Sequence, residues 1–263
     1  MVDLVEMIRG LVLGLGEILP ISGMGHLTIL EQANLMPSGS TAPAKLGVLL
    51  AVLLVYHKTV FGMLGGICAM IGGLYKGTFK WRKAGKDQMM AVYLMLASLP
   101  LILMAAFRQF IAVSGGLLFT GIMLLVSAGL IFIGSHSLCR NWTVQDMKPA
   151  HALKWGLFRA VSILPGLSPS GVAISMGLNM GFDRQTALDF SMLLSVPAIL
   201  CDLCLGGGGA FRPAGLAGLF AAAVTAAAAI FLLKWLVKKD RFGWFMAYCA
   251  AAGIAAIVLN FVL

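Results

Sequence analysis

The residues that decide the fold are Gly14-Leu15-Gly16-Glu17-Ile18-Leu19-Pro20-Ile21-Ser22-Gly23-Met24-Gly25-His26. They lie in an apolar stretch from about Leu4 to Met36 that is broken near its middle by Pro20 with adjacent Gly and Ser. Each half is too short to cross a bilayer, whose core needs roughly 20 apolar residues per helix. A short helix, a broken turn and a second short helix predict a hairpin that dips into the membrane and returns to the side it left. Such backbone persists only where protein or water satisfies its free polar groups.

A second stretch, about Ala152 to Gly181, has the same plan and breaks at Pro165. Shifting the chain by 145 residues aligns the two without a gap, matching Ile18/Ile163, Leu19/Leu164, Pro20/Pro165, Ile29/Ile174, Asn34/Asn179, Thr41/Thr186, Ala42/Ala187 and Leu49/Leu194. The matches predict a duplication, residues 1–145 and 146–263, within one membrane domain.

Between and beyond the hairpins, uncharged windows at Gln88–Phe107, Gln109–Cys139, Pro213–Leu233 and Phe242–Leu263 are long enough to span unaided. Leu46–His57 and Phe190–Cys201 add two spans that follow a charge, giving six. The expected fold is thus an all-α polytopic membrane protein with six transmembrane helices and two re-entrant hairpins. Three crossings separate the copies, so the second is expected upside down, as in transporters whose broken helices meet at the midplane. The two hairpin tips should then face each other.

Composition agrees with a bilayer as solvent. Of 263 residues 60% are apolar and only 11% charged, with mean hydropathy +0.96, where a soluble domain carries about a quarter charged residues. Nineteen Lys and Arg against ten Asp and Glu leave a net charge of +9, which suits lipid headgroups or an anionic substrate. Clustered basic faces for nucleic acid are absent. The five cysteines, Cys201 and Cys204 included, read as packing residues, and Asp3 with Glu6 argues against a cleaved cationic leader.

Orientation follows from basic loops. Lys58, Lys76, Lys80, Arg82, Lys83 and Lys86 mark the richest loop as cytoplasmic, and alternation puts Arg140, Lys148 and Lys154, then Lys234, Lys238, Lys239 and Arg241, on the same side. Both termini are then outside.

The first hairpin brings an acid, a hydroxyl and an imidazole, Glu17, Ser22 and His26, within ten residues at membrane depth. Ionisable groups there are functional by default; the plainer reading has Glu17 protonated or paired with Arg9 and His26 capping a helix end. The second hairpin, Pro165-Gly166-Leu167-Ser168-Pro169-Ser170-Gly171, opens a helix with hydroxyls and free amides that favour an anion such as phosphate. Ser and Pro also start helices with no ligand.

Together these runs resemble the undecaprenyl-diphosphate phosphatase family, associated with bacitracin resistance. The resemblance rests on GxxExLPxSxxGH from Gly14 to His26, PGxSxSG from Pro165 to Gly171, and Arg184-x-x-Ala187-x-x-Phe190-Ser191-x-Leu193-Leu194-x-Val196-Pro197. It implies a fold of six spans and two re-entrant hairpins, a polyprenyl phosphate or diphosphate ligand, the bacterial inner membrane, and Glu17, Ser22 and His26 as the catalytic set if the chain hydrolyses. A second copy of the chain is left open as a partner, as is the cofactor, with a divalent cation such as Mg or Ca only for a hydrolase.

Three positions depart from the family pattern: Leu13 stands for its usual Glu, Gly23 for a second Ser, and Pro169 for an Arg between the two Ser. Arg159, six residues before Pro165, stands where the family more often has Gln, and is expected either to compensate or to reach for headgroups. The phosphate-binding set is expected to be Ser22, His26, Arg159, Ser168, Ser170 and Gly171. Loss of three chemical groups favours movement of the lipid phosphate across the membrane over its hydrolysis; phosphatase activity with a reduced set, or sequestration of the carrier lipid, are the alternatives.

Overall fold

The computed structural model describes residues 2–78, 80–81, 84–107, 116–138, 140–205 and 215–263. Expectations for Arg82, Lys83 and Cys139 lie outside the described residues. Within them the chain is a helical membrane protein: α1 (Val2–Ile18), α2 (Gly23–Gln32), α3 (Ala42–Val55), α4 (His57–Tyr75), α5 (Lys86–Phe107), α6 (Leu117–Ser135), α7 (Pro149–Val161), α8 (Pro169–Asn179), α9 (Arg184–Leu205), α10 (Gly215–Lys238) and α11 (Trp244–Val262).

Both breaks follow from local chemistry. α1 stops two residues before Pro20, whose ring disfavours helical backbone in the residue ahead of it. α2 restarts at Ser22, whose Oγ accepts the Gly25 amide at 3.2 Å. α7 has Pro149 at its start, α8 has Pro169 at its first position, and Ser168 Oγ accepts the Gly171 amide at 3.2 Å.

Among the described residues six helices are long and apolar enough to cross a membrane: α4, α5, α6, α9, α10 and α11. One expected span is corrected. Of Leu46–His57, residues 46–55 lie in α3, which has 14 residues, His57 opens α4, and the first helix of spanning length is α4 at residues 57–75, where a cytoplasmic loop is expected from the basic residues. Lys58 and five glycines between 62 and 73 lower its hydropathy to 1.3, below the other five, and hide it.

Packing exchanges elements between the halves. α1 lies on α10 and α7 on α5, α3 on α10 and α9 on α5, and α6 on α11. Glycine permits the close approaches, as where a Cβ on Gly156 would sit 2.0 Å from the Ala97 carbonyl. α3 and α9 run antiparallel: Lys45 near the start of α3 pairs with Asp202 near the end of α9, and Tyr56 just beyond α3 donates to Asp189 near the start of α9 at 2.9 Å.

The hairpin tips interlock at the centre. Gly25 packs on Gly166 and Gly171 on Pro20, while the Ser22 hydroxyl reaches the Leu167 carbonyl at 3.4 Å. From α6, the Ser127 hydroxyl donates to the Gly166 carbonyl at 3.2 Å and accepts the Ser168 amide at 2.9 Å. Gly166 has φ +93° and lies against the Thr120 carbonyl, so a side chain is excluded on both counts. Trp155, Phe182 and Phe190, all buried, fasten the second hairpin to α9 through their rings and a Trp155 Nε1 bond to Ser191 Oγ at 3.3 Å.

Candidate functional site

Beside the interlocked tips lies a cavity of about 100 Å³ walled by α1, α2, α3, α5, α7, α8 and α9. Four charged residues face it: Glu17 from the last turn of α1, Arg159 from the last turn of α7, Lys45 from α3 and Asp202 from α9. Apolar walls come from Leu101 and Met104 of α5 and Ala198 and Ile199 of α9. All four charges occupy otherwise apolar segments, where an ionisable group is hard to hold without a partner or a task.

Arg159 is 7% exposed, so it does not extend to the surface. Its Nη1 donates to Ser162 Oγ at 3.0 Å, and the same hydroxyl donates back to the Arg159 carbonyl at 2.6 Å, fixing the guanidinium across the end of its own helix. Glu17 and Asp202 both lie within electrostatic reach of it. Arg9, weighed as a partner for Glu17, instead pairs with Glu6 and donates to the Pro37 carbonyl at 2.6 Å. Glu17 therefore shares the cavity with Arg159 and Lys45, while Arg9 is engaged elsewhere.

The other expected residues are arranged differently. Met24 lines the cavity, and His26, two residues or about 200° further round α2, points to the opposite side. His26 Nδ1 lies 2.9 Å from the Ser22 carbonyl, Nε2 lies 2.7 Å from the Tyr248 hydroxyl of α11, and the rings stack. A carbonyl only accepts, so in the neutral ring Nδ1 carries the proton and Nε2 accepts from Tyr248. Ser22, Ser168 and Gly171 are occupied in the tip contacts. Ser170 Oγ is buried there with no hydrogen-bond partner among the described residues. Thus Glu17 and Arg159 line one cavity, Ser22, Ser168 and Ser170 are outside its lining, and His26 lies across the tip. Sequence reasoning missed Lys45, Asp202, Ser162 and Tyr248; Lys45 and Asp202 stand out singly as charges beside apolar runs, but nothing local pairs them.

The family description "Bacitracin resistance protein BacA" matches residues 6–255. The chain belongs to the BacA family. Proteins named "Undecaprenyl-diphosphatase" are 31% identical in Korarchaeum cryptofilum, covering 96% of this chain and 97% of that protein. One in Desulforapulum autotrophicum is 32% identical, covering 98% and 99%, and one in Rhodopirellula baltica 31%, covering 97% and 98%. These relatives carry a hydrolase name, so the expectation that translocation outranks hydrolysis is not what they support; the phosphatase alternative is the better backed.

The three departures from the BacA pattern are not equivalent in space. Pro169 lines the cavity, opposite Arg159 across the hairpin turn. Leu13 is fully buried in the apolar core and does not line it. Gly23 packs against Gly16, where a Cβ would meet backbone at 3.1 Å. As for a metal, no three His, Cys, Asp or Glu side chains come together among the described residues. Asp202 is paired with Lys45, which leaves Glu17 as the carboxylate that fits Mg²⁺ when substrate phosphates complete its shell.

Proposed function

We propose that this chain releases the terminal phosphate from a polyprenyl diphosphate carrier such as undecaprenyl diphosphate. The observation that carries the reading is a buried guanidinium, Arg159, and a carboxylate, Glu17, facing one cavity at the junction of the two hairpins. The diphosphate enters the cavity and the hydrocarbon chain stays among lipid. Arg159 binds phosphoryl oxygens and stabilises the charge they gain as the bond breaks. Glu17 accepts a proton from the attacking water. A P–O bond forms to that water, the bridging P–O bond breaks, and polyprenyl phosphate and inorganic phosphate leave. A divalent cation such as Mg or Ca, held by the substrate phosphates beside Glu17, would supply further neutralisation of phosphate charge. Ser22, His26, Ser168, Ser170 and Gly171 belong to the hairpin frame that fixes Glu17 and Arg159.

The same reading takes the halves as inverted repeats in the bacterial inner membrane with both termini outside. Support comes from the exchanged packing of α1 on α10 and α7 on α5, from antiparallel α3 and α9, and from the basic loops. Cysteine-accessibility labelling at the termini and at Lys83 tests it, and cytoplasmic termini would overturn it.

Phosphate release from undecaprenyl diphosphate by purified protein, with and without divalent metal, tests the activity. Release by the parent, and release lower by about 10²- to 10⁴-fold in Glu17→Gln, is expected. If the parent releases no phosphate, hydrolysis is excluded; labelled lipid that then changes leaflet in vesicles reinstates translocation.

A further inference from the structure

Beside Arg159 and Glu17 the cavity carries a second cation and a second carboxylate, supplied by α3 and α9 instead of the hairpins. Lys45, 8% exposed, is ion-paired with Asp202, and both residues line the cavity. Joining α3 to α9 does not require this pair. The Tyr56–Asp189 bond already ties the other end of the crossing, and both helices bury apolar faces. A hydrophobic pair of the same volume would hold the helices at no desolvation penalty, so a charged pair retained in an apolar wall needs another reason.

Charge counting supplies one. Lys45 and Arg159 balance Glu17 and Asp202 in formal charge, so the cavity is neutral overall, and Lys45 reaches a ligand only by leaving its carboxylate. Arg159 is braced by Ser162 at its own helix end. Lys45 carries a compact ammonium with three rotatable donors on a flexible stem, which can exchange one anionic partner for another with little rearrangement. A monophosphate presents one anionic group, which one guanidinium can hold; a diphosphate presents two.

We propose that Lys45 is the second phosphate-binding cation of the cavity. Asp202 is its resident counterion, holding the ammonium in place while the cavity is empty and yielding it to the second phosphoryl group, so that the pair sets a preference for diphosphate over monophosphate. This rests on the phosphate-lipid reading of the cavity.

The test is binding of two probes that cannot be hydrolysed, a prenyl methylenediphosphonate and a prenyl phosphonate, to purified full-length protein in nanodiscs. Loss of one charge-assisted contact predicts that Lys45→Gln weakens the diphosphonate by roughly tenfold or more and the phosphonate by less than about threefold. Lys45→Arg keeps both within about threefold, because the charge and the Asp202 pairing persist. Asp202→Asn leaves diphosphonate binding equal or tighter, since a competing carboxylate is gone. If Lys45→Gln weakens both probes equally or neither, the proposal is overturned. It is also overturned if Asp202→Asn weakens the diphosphonate as much as Lys45→Gln does, the mark of a pair that only joins two helices. Lys45→Met, matched in length, replaces Lys45→Gln should that variant not fold. Failure of the underlying reading shows separately: the parent then binds neither probe, or Arg159→Gln binds both as tightly as the parent.

Discussion

In the first hairpin Ser22 caps α2 by accepting the Gly25 amide, and in the second Ser168 caps α8 by accepting the Gly171 amide, each at 3.2 Å. Each turn packs into the other, Gly25 on Gly166 and Gly171 on Pro20. The side chains that could act on a ligand follow no such correspondence. The first hairpin sends Glu17 into the cavity and His26 away to Tyr248; the second sends a single cation, Arg159, into the cavity from the end of its first arm. What the two hairpins share holds the tips together, and what they do not share is the chemistry. This division makes the two hairpins separable by mutation.

The largest effect belongs to Glu17. Glu17→Gln removes the proton acceptor while keeping the shape, so phosphate release should fall about 10²- to 10⁴-fold, as loss of a general base does, with lipid-phosphate binding retained. Retained release places the base elsewhere. Arg159→Gln should act on binding, since removing one partner of a buried charged contact costs roughly 2 to 5 kcal/mol. That is well over a tenfold loss, with Arg159→Lys between the two because it keeps the charge but not the planar fork. Pro169 lines the same cavity from the start of α8, so adding Pro169→Arg to Arg159→Gln should recover a large part of that loss. No recovery would mean that the second hairpin can present its cation only from α7. Leu13→Glu is expected to do the opposite of restoring activity: it buries a carboxyl in the apolar core away from the cavity and lowers the melting temperature.

The hairpins themselves were legible because Pro20 and Pro165 recur at one offset and proline before a short apolar run leaves few alternatives. Glu17 and Arg159 were legible because ionisable residues stand out in apolar sequence. α4 was not, because glycines depress a hydropathy window without preventing a helix in lipid. Nor was the parting of His26 from Glu17, which depends on a rotation of about 200° along α2 that only a fixed helix start defines. Lys45 and Asp202 are 157 residues apart, and no local pattern joins them; the crossing of α3 and α9 does.

A smaller effect sharpens the structural half of the comparison. Ser22 caps its helix at φ +64°, a left-handed conformation rare for a residue with a side chain, whereas Ser168 caps at φ −78°. Ser168→Ala should therefore lose about 1 kcal/mol of stability, the usual worth of an N-cap. Ser22→Gly should be close to neutral or stabilising, because glycine relieves roughly 1 to 2 kcal/mol of left-handed strain while losing a cap. Thermal unfolding in detergent checks both. Equal losses would mean that the two caps are energetically alike despite their different backbones.

The smallest effect concerns the residue that sequence alone would rank among the most reactive. His26 has both ring nitrogens occupied, Nδ1 by the Ser22 carbonyl and Nε2 by the Tyr248 hydroxyl, on the side of α2 that faces α11. Tyr248→Phe keeps the ring contact and removes only the hydroxyl, so the direct loss is one hydrogen bond, about 0.5 to 1.5 kcal/mol of stability. If His26 serves the frame, phosphate release from that variant stays within about threefold of the parent, because the freed Nε2 still points away from the cavity. If His26 serves the chemistry, Tyr248 is what orients its basic nitrogen, and the same variant loses release by the 10² or more that a misplaced base costs. A loss of that size, with Arg159→Gln unaffected, would move the reacting centre out of the cavity to the gap between α2 and α11. It would also make the first hairpin, not the meeting of the two, the seat of the reaction.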